Sequence, residues 1–148
     1  VFRRQRQMCI RDSNNSNATN LNKTEGWFHT GDLAKQDASG LYWFSGRLKH
    51  VIISGGENIY PAELERLLID HPQLVEFSIV GRNDEHWGQV PVIVAVRRDP
   101  EVRAEDVLKI FDSKIARFKR PKEVVFVNKL PRNALEKISV EQVVALLN

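Results

Sequence analysis

Between Val51 and Glu65 the chain reads VIISGGENIYPAELE, which leaves it little conformational choice. Val51-Ile52-Ile53 is a β-branched run with the composition of a short buried strand. Ser54-Gly55-Gly56 ends it with two residues lacking Cβ, a turn that another backbone or a ligand can approach closely. Pro61 has its φ fixed for the first helical position, where its missing N–H costs nothing, so a helix starts there. Glu63 and Glu65 then occupy the first turn, complementing the helix dipole, while Leu64, Leu67 and Leu68 form a buried stripe. So much specification in one stretch predicts a site rather than a linker.

A chain of 148 residues, 42% hydrophobic and 28% charged, can enclose one core but is small for two. No apolar run approaches the roughly 20 residues of a membrane span. The single Cys9 excludes an intrachain disulfide and a Cys-based metal site, and points to a reducing, cytoplasmic compartment; no metal ligand set is read here. The formal charge of +3 is local. Arg3, Arg4, Arg6 and Arg11 face Asp12 alone in residues 1–12, and the remaining 18 basic and 18 acidic residues cancel. No basic groove with interleaved aromatics is visible, which argues against nucleic acid as a partner.

Taken in order, residues 1–12 are Arg-rich and residues 13–22 polar and Asn-rich, with too little apolar surface to offset the entropy of ordering. Residues 1–23 are therefore read as a disordered tail, with order from near Gly26. Asp37-Ala38-Ser39-Gly40 is a turn, followed by a strand at Leu41-Tyr42-Trp43-Phe44. Val75–Val80, Val92–Val96 and Val124–Val127 are short β-branched strands. Val107, Phe111, Ile115 and Phe118 recur at helical spacing. Ser139-x-x-Gln142 is a capping box opening a last helix with Val140, Val143, Val144 and Leu147 on one face. The expected fold class is α+β: a small mixed sheet of about three strands covered by about three helices, preceded by a β-hairpin hinge.

Two motifs at a fixed separation carry a family resemblance. Trp27-Phe28-His29-Thr30-Gly31-Asp32-Leu33 resembles a Tyr/Phe-x-Thr-Gly-Asp motif. Gly46-Arg47-x-Lys49 followed by Ile-Ser-Gly-Gly-Glu-Asn-Ile-Tyr-Pro-Ala-Glu resembles the hinge and lid of adenylate-forming enzymes, specifically acyl-CoA and aryl-CoA ligases such as 4-chlorobenzoate–CoA ligase. The resemblance runs from about Gly26 to the C-terminus, and because it does not extend into residues 1–23 that tail is read as foreign or artefactual. It implies that residues 24–48 are the end of a large AMP-binding domain absent from this chain, and residues 49–148 the C-terminal lid.

The resemblance also assigns roles. Asp32 accepts hydrogen bonds from the ribose hydroxyls of ATP or AMP, work that suits a group with two acceptor oxygens; taken alone, Thr30-Gly31-Asp32 reads as a surface turn. Arg47 is a second nucleotide contact, and Lys49 the hinge whose torsions change when the lid rotates, although an exposed strand-end lysine would look the same. Gly55 and Gly56 line the route of the coenzyme A thiol. Trp87 borders the coenzyme A site or simply packs over the small sheet. Phe118 stacks on adenine while Arg120 meets phosphate, unless Phe118 is core and the charges only favour a helix C-terminus. Lys137, in Leu130-Pro131-Arg132-Asn133-Ala134-Leu135-Glu136-Lys137, is the catalytic cation of a Pro-x-Thr/Asn-x-x-Gly-Lys motif, stabilising charge that shifts as the acyl-adenylate forms. Glu136 stands where Gly is usual and could pair with the lysine.

The implied activity is that of an AMP-forming acid–CoA ligase using a carboxylic acid, ATP, coenzyme A and Mg²⁺, the metal belonging to the absent domain. No phosphate loop or acyl pocket is found, so the chain alone is expected to be inactive, with the acid and the oligomeric state left open. The alternatives are a free-standing nucleotide or coenzyme A module without chemistry, or the lid of a carrier-protein adenylation enzyme.

Overall fold

The computed structural model describes residue 17, residues 21–25 and residues 27–147. The Arg-rich run, most of the Asn-rich segment and Gly26 lie outside these. The chain divides into two units, one ending at Asp32 and one beginning at Leu33. In the first, β1 (Lys23–Thr24) pairs antiparallel with β2 (Trp27–Phe28). No helix among the described residues is long and apolar enough to cross a membrane.

In the second unit a hairpin precedes the main sheet. It joins β3 (Asp32–Gln36), whose first residue closes the first unit, to β4 (Tyr42–Arg47). Asp37 closes its turn, as the sequence predicts. The carboxylate accepts from Ser39 N at 2.9 Å, Ser39 Oγ at 2.6 Å, Leu41 N at 3.1 Å and Trp43 Nε1 at 2.6 Å. Those donors, the Ser39 hydroxyl and Trp43 indole foremost, stabilise the ionised form and lower its pKa to about 2.

The main sheet is mixed. Its strands are β5 (Ile52–Ser54), β6 (Glu57–Ile59), β7 (Leu74–Asp84), β8 (Gly88–Arg97) and β9 (Glu123–Phe126). β7 and β8 form a long antiparallel hairpin, from Leu74↔Arg97 to Asp84↔Gly88. β9 runs parallel to β8, and β5 joins β8 through Ser54↔Gly88. Alternation divides the core between the two faces. Ile79, Ile93, Ala95 and Val124 pack with Leu64 and Leu68 from α1 (Pro61–Glu65) and its following turns, and with Val107 of α2 (Ala104–Leu108). Val80 and Val94 meet Leu130 and Val143, the latter on α3 (Val140–Ala145).

The α+β class and the three helices therefore stand, but the sheet has five strands rather than about three. β5 falls on the strand read at Val51-Ile52-Ile53, and β6 is the one without a signal: Ile59 is buried while Glu57 and Asn58 are exposed, too short a segment to show alternation. The helix expected through Phe118 is also broken. α2 ends at Leu108, a 3-10 turn covers Lys109–Phe111, and Ser113 adopts a left-handed φ of 61°. Helical spacing held while Val107 and Phe111 were buried, yet Phe118 lies in a separate turn and is 43% exposed, not core.

Candidate functional site

The glycine turn meets Trp87. Gly55 N donates to Trp87 O at 2.8 Å, and a Cβ on Gly55 would lie 2.8 Å from Trp87 Cε3. Asp84 Oδ1 holds the loop by accepting from His86 N at 3.0 Å and Trp87 N at 2.9 Å. Those amides keep the Asp84 pKa below the usual carboxylate range. Gly56 differs: its φ is +83°, and a Cβ there meets nothing within 4 Å. The constraint at Gly55 thus comes from Trp87 itself, while the space beside Gly56 is open.

Phe118 and Arg120 reach the same end of the sheet by another route. Phe118 sits in the 3-10 turn Arg117–Lys119, and Lys122 N donates to Pro91 O at 2.9 Å, next to the Val92↔Glu123 pair where β9 begins. Lys119 Nζ bonds Glu63 of α1 at 2.8 Å, so Glu63 serves as an ion-pair partner beyond its place in the first turn. Arg120 pairs with Asp112 at 2.6 Å. Arg117 and Lys122 are exposed and make no ion pair among the described residues.

At the hinge, Arg47 ends β4 and is exposed, and Lys49 lies in the 3-10 turn Leu48–His50. Its ammonium contacts Glu141 of α3 at 2.6 Å, with both side chains largely exposed. Neighbouring His50 has Nε2 buried without a hydrogen-bond partner in a cleft it shares with Phe44, Glu65, Ser78 and Val140. Burial, then the charge of Lys49, lowers its pKa, so the ring stays neutral at neutral pH. Glu65 in the same cleft accepts from Ile79 N at 3.1 Å, and burial raises its pKa. Asp32, in the first unit, is half-buried and its backbone N–H donates to Thr30 Oγ1 at 3.0 Å.

Lys137 sits on a loop closed on itself. Arg132 and Ile138 form an antiparallel bridge, Asn133 N donates to Lys137 O at 2.8 Å, and Ser139 N donates to Pro131 O at 2.9 Å. Asn133 Oδ1 accepts from Leu135 N at 2.9 Å and Lys137 N at 3.1 Å. Glu136 has a φ of 58°, the left-handed region in which Gly carries no Cβ penalty. The Lys137 side chain is exposed and makes no ion pair among the described residues, with Glu136 or any other carboxylate.

Apart from Asp32 and the hinge residues Arg47 and Lys49, the candidates are tied to the β7–β8 hairpin at two places. Gly55, Trp87 and the strand entry after Phe118 and Arg120 gather at the Gly88–Pro91 end of β8. The Lys137 loop is tied to Glu76, which pairs with Val96 near the other end. Gly88 and Val96 are eight residues apart, and at about 3.3 Å per residue this is roughly 26 Å along the strand.

Residues 63–137, half of the chain, match the AMP-binding enzyme C-terminal domain family. The chain belongs to that family. It is 51% identical over 120 residues to indoleacetate–CoA ligase of Aromatoleum aromaticum, covering 80% of this chain and 24% of that protein. It is 45% identical over 121 residues to 2-succinylbenzoate–CoA ligase of Bacillus cytotoxicus, covering 82% and 25%. Among solved structures, o-succinylbenzoate CoA synthetase of Bacillus subtilis, in complex with the acyl-adenylate intermediate OSB-AMP, superposes with a TM-score of 0.80 at 37% identity over 88% of this chain and 27% of that one. ATP-bound MatB from Rhodopseudomonas palustris gives 0.75 at 32%, covering 90% and 27%. The chain spans about a quarter of the length of the relatives it matches.

Several contacts in this AMP-binding enzyme C-terminal domain escape a reading of the sequence. Glu76, Arg132 and Glu141 appear there as ordinary surface charges, and their partners lie 56 and 92 residues away. Asn133 had a local signal, because Asn characteristically bonds backbone amides a few residues on.

Proposed function

We propose that this chain is the lid-bearing C-terminal part of an ATP-dependent acid–CoA ligase, completed by the larger domain that its relatives possess. Residues 24–48 are the end of that larger domain, and residues 49–148 the lid. In the first step a substrate carboxylate oxygen attacks the α-phosphorus of ATP and the bond to pyrophosphate breaks. In the second, the coenzyme A thiolate attacks the acyl carbon and AMP leaves with the bonding electron pair. Lys137 serves the first step, with Asp32 and Arg47 on the nucleotide; Gly55, Gly56, Trp87 and Phe118 serve the second. Mg²⁺ and the acid belong to the larger domain, in a cytoplasmic setting.

The observation that carries this reading is that the glycine turn is anchored at Gly88 and the Lys137 loop at Glu76, opposite Val96, with roughly 26 Å of strand between those two anchor points. One placement of the lid cannot bring both to a single reacting centre, whereas a rotation about Lys49 can. The exposed Phe118 ring suits stacking on adenine. Arg120 meets coenzyme A phosphate once its solvent-exposed pair with Asp112 opens, and the exposed Arg117 and Lys122 are further cations close to it in sequence. Tyr42 and Phe44, two residues apart on one face of β4, are both more than half exposed, apolar surface of the kind that a further domain covers.

The test joins this chain to the N-terminal part of indoleacetate–CoA ligase and follows pyrophosphate and thioester separately. Lys137→Ala is expected to slow acyl-adenylate formation by about 100- to 1000-fold, the scale for one electrostatic donor, while supplied acyl-adenylate still becomes thioester. An active fusion indifferent to Lys137→Ala would overturn the assignment. Submillimolar coenzyme A binding by the chain alone, with an inactive fusion, would favour the free-standing module.

A further inference from the structure

Glu76 and Arg132 converge on the residue before Lys137. The Glu76 carboxylate, on β7, accepts from Leu130 N at 3.2 Å and from Arg132 Nη2. Arg132 Nη1 then donates to Glu136 O at 2.7 Å. One carboxylate therefore holds the loop's buried entrance at Leu130 and the guanidinium, and the guanidinium holds the carbonyl of Glu136. That residue carries the left-handed φ of 58°, so the carbonyl is fixed where the chain turns into Lys137.

We infer that Glu76 and Arg132 form a clamp that sets the position of the Lys137 ammonium, making Arg132 a positioning residue for the adenylation step. This rests on the reading of Lys137 above. The clamp needs two N–H groups in a planar fork aimed at two acceptors, which a lysine ammonium on a flexible stem does not reproduce. Arg132 and Glu76 keep 39% and 21% side-chain exposure, so water screens the pair and its role is geometric more than stabilising. The coenzyme A group is held through Gly88 and Pro91, by contacts the clamp does not touch.

The test uses the same fusion enzyme with Arg132→Lys, Arg132→Ala, Glu76→Gln and Lys137→Ala. Acyl-adenylate formation and the conversion of supplied acyl-adenylate to thioester are measured apart. Displacing the ammonium by about 1 Å is expected to slow the first reaction by about 10- to 100-fold in both Arg132 variants, with the second within about twofold. Adding Arg132→Ala to Lys137→Ala should cost nothing further, because the clamp acts through that lysine. Equal loss in both half-reactions, an unchanged first reaction, or full additivity with Lys137→Ala would overturn the clamp. If Arg132→Ala does not fold, Glu76→Gln decides, since its amide oxygen still receives Leu130 N while the charge facing Arg132 is gone. A Lys137→Ala enzyme that adenylates normally instead removes the parent reading, whatever Arg132 does.

Discussion

Replacing Gly55 by Ala should destabilise the domain more than replacing Gly56, and the excess should depend on Trp87. Both glycines have positive φ, +59° and +83°, so each substitution carries the left-handed penalty of about 1–2 kcal/mol. At Gly56 the new methyl meets open space and nothing is added. At Gly55 it would lie 2.8 Å from Trp87 Cε3 and 3.0 Å from Cζ3, so the indole must move. That ring is restrained: its residue's N–H is bonded to Asp84, its carbonyl accepts from Gly55 N, and His86 packs edge-on at 4.8 Å. Overpacking of this kind costs about 1–3 kcal/mol, giving roughly 2–5 kcal/mol for Gly55→Ala in all. Urea unfolding of the four members of a Gly55→Ala/Trp87→Ala cycle, with Gly56→Ala alongside, measures the excess. With Trp87→Ala in place, the cost of Gly55→Ala should fall to that of Gly56→Ala, a coupling of about 1–3 kcal/mol. Equal costs for the two glycines, or a Gly55→Ala cost that ignores Trp87, would refute the assignment of the constraint to the indole.

Two further predictions concern carboxylates. Burial raises the pKa of Glu65 above its usual 4.5, so the folded state binds the extra proton and stability falls as pH rises from 4.5 through the folded value, then levels. Glu65→Gln keeps an oxygen for Ile79 N and removes the charge; thermal melts should show a gain at about pH 7 that vanishes by about pH 4, and an equal gain at both would contradict it. Asp37 behaves oppositely. Its contribution is present above the unfolded value of 3.8 and is lost as pH falls through about 2, so the side-chain carboxyl ¹³C resonance and the Trp43 indole proton should titrate together near that value. Separate midpoints would show that the indole bond is not what holds the carboxylate.

The parts legible in the sequence are those whose signal is local. Pro61 starts its helix because φ and the missing N–H act within one residue, and Leu64 and Leu68 are buried by the same short-range spacing. Val92 to Ala95 announces a strand buried on both faces. Ser139 gave a correct helix start, but no cap bond: its side chain makes none, although Val140 begins α3. Contacts between distant charges left no trace. Glu63 complements a dipole in the sequence and meets Lys119 in the fold. The departure at Glu136 was visible, whereas its meaning was not, because only the backbone conformation shows why Gly is usual there.

Under the proposed function, the hairpin of β7 and β8 acts as a spacer, and this constrains how a single lid can serve two reactions. A lysine side chain spans about 6 Å, short of the roughly 26 Å of strand between the Gly88 and Val96 anchor points, and the strand between them is held by the fully buried Val92, Ile93 and Val94. The change has to come from reorienting the sheet as one body, which puts the moving torsions outside it. Lys49 occupies such a place, in the 3-10 turn between the β3–β4 hairpin and β5. Its ion pair with Glu141 runs to the helix that follows the Lys137 loop, linking the hinge side chain to the element that anchors the adenylation group. Because both partners are largely exposed, water replaces the contact readily when it opens, so the pair can favour one orientation of the lid without locking it there.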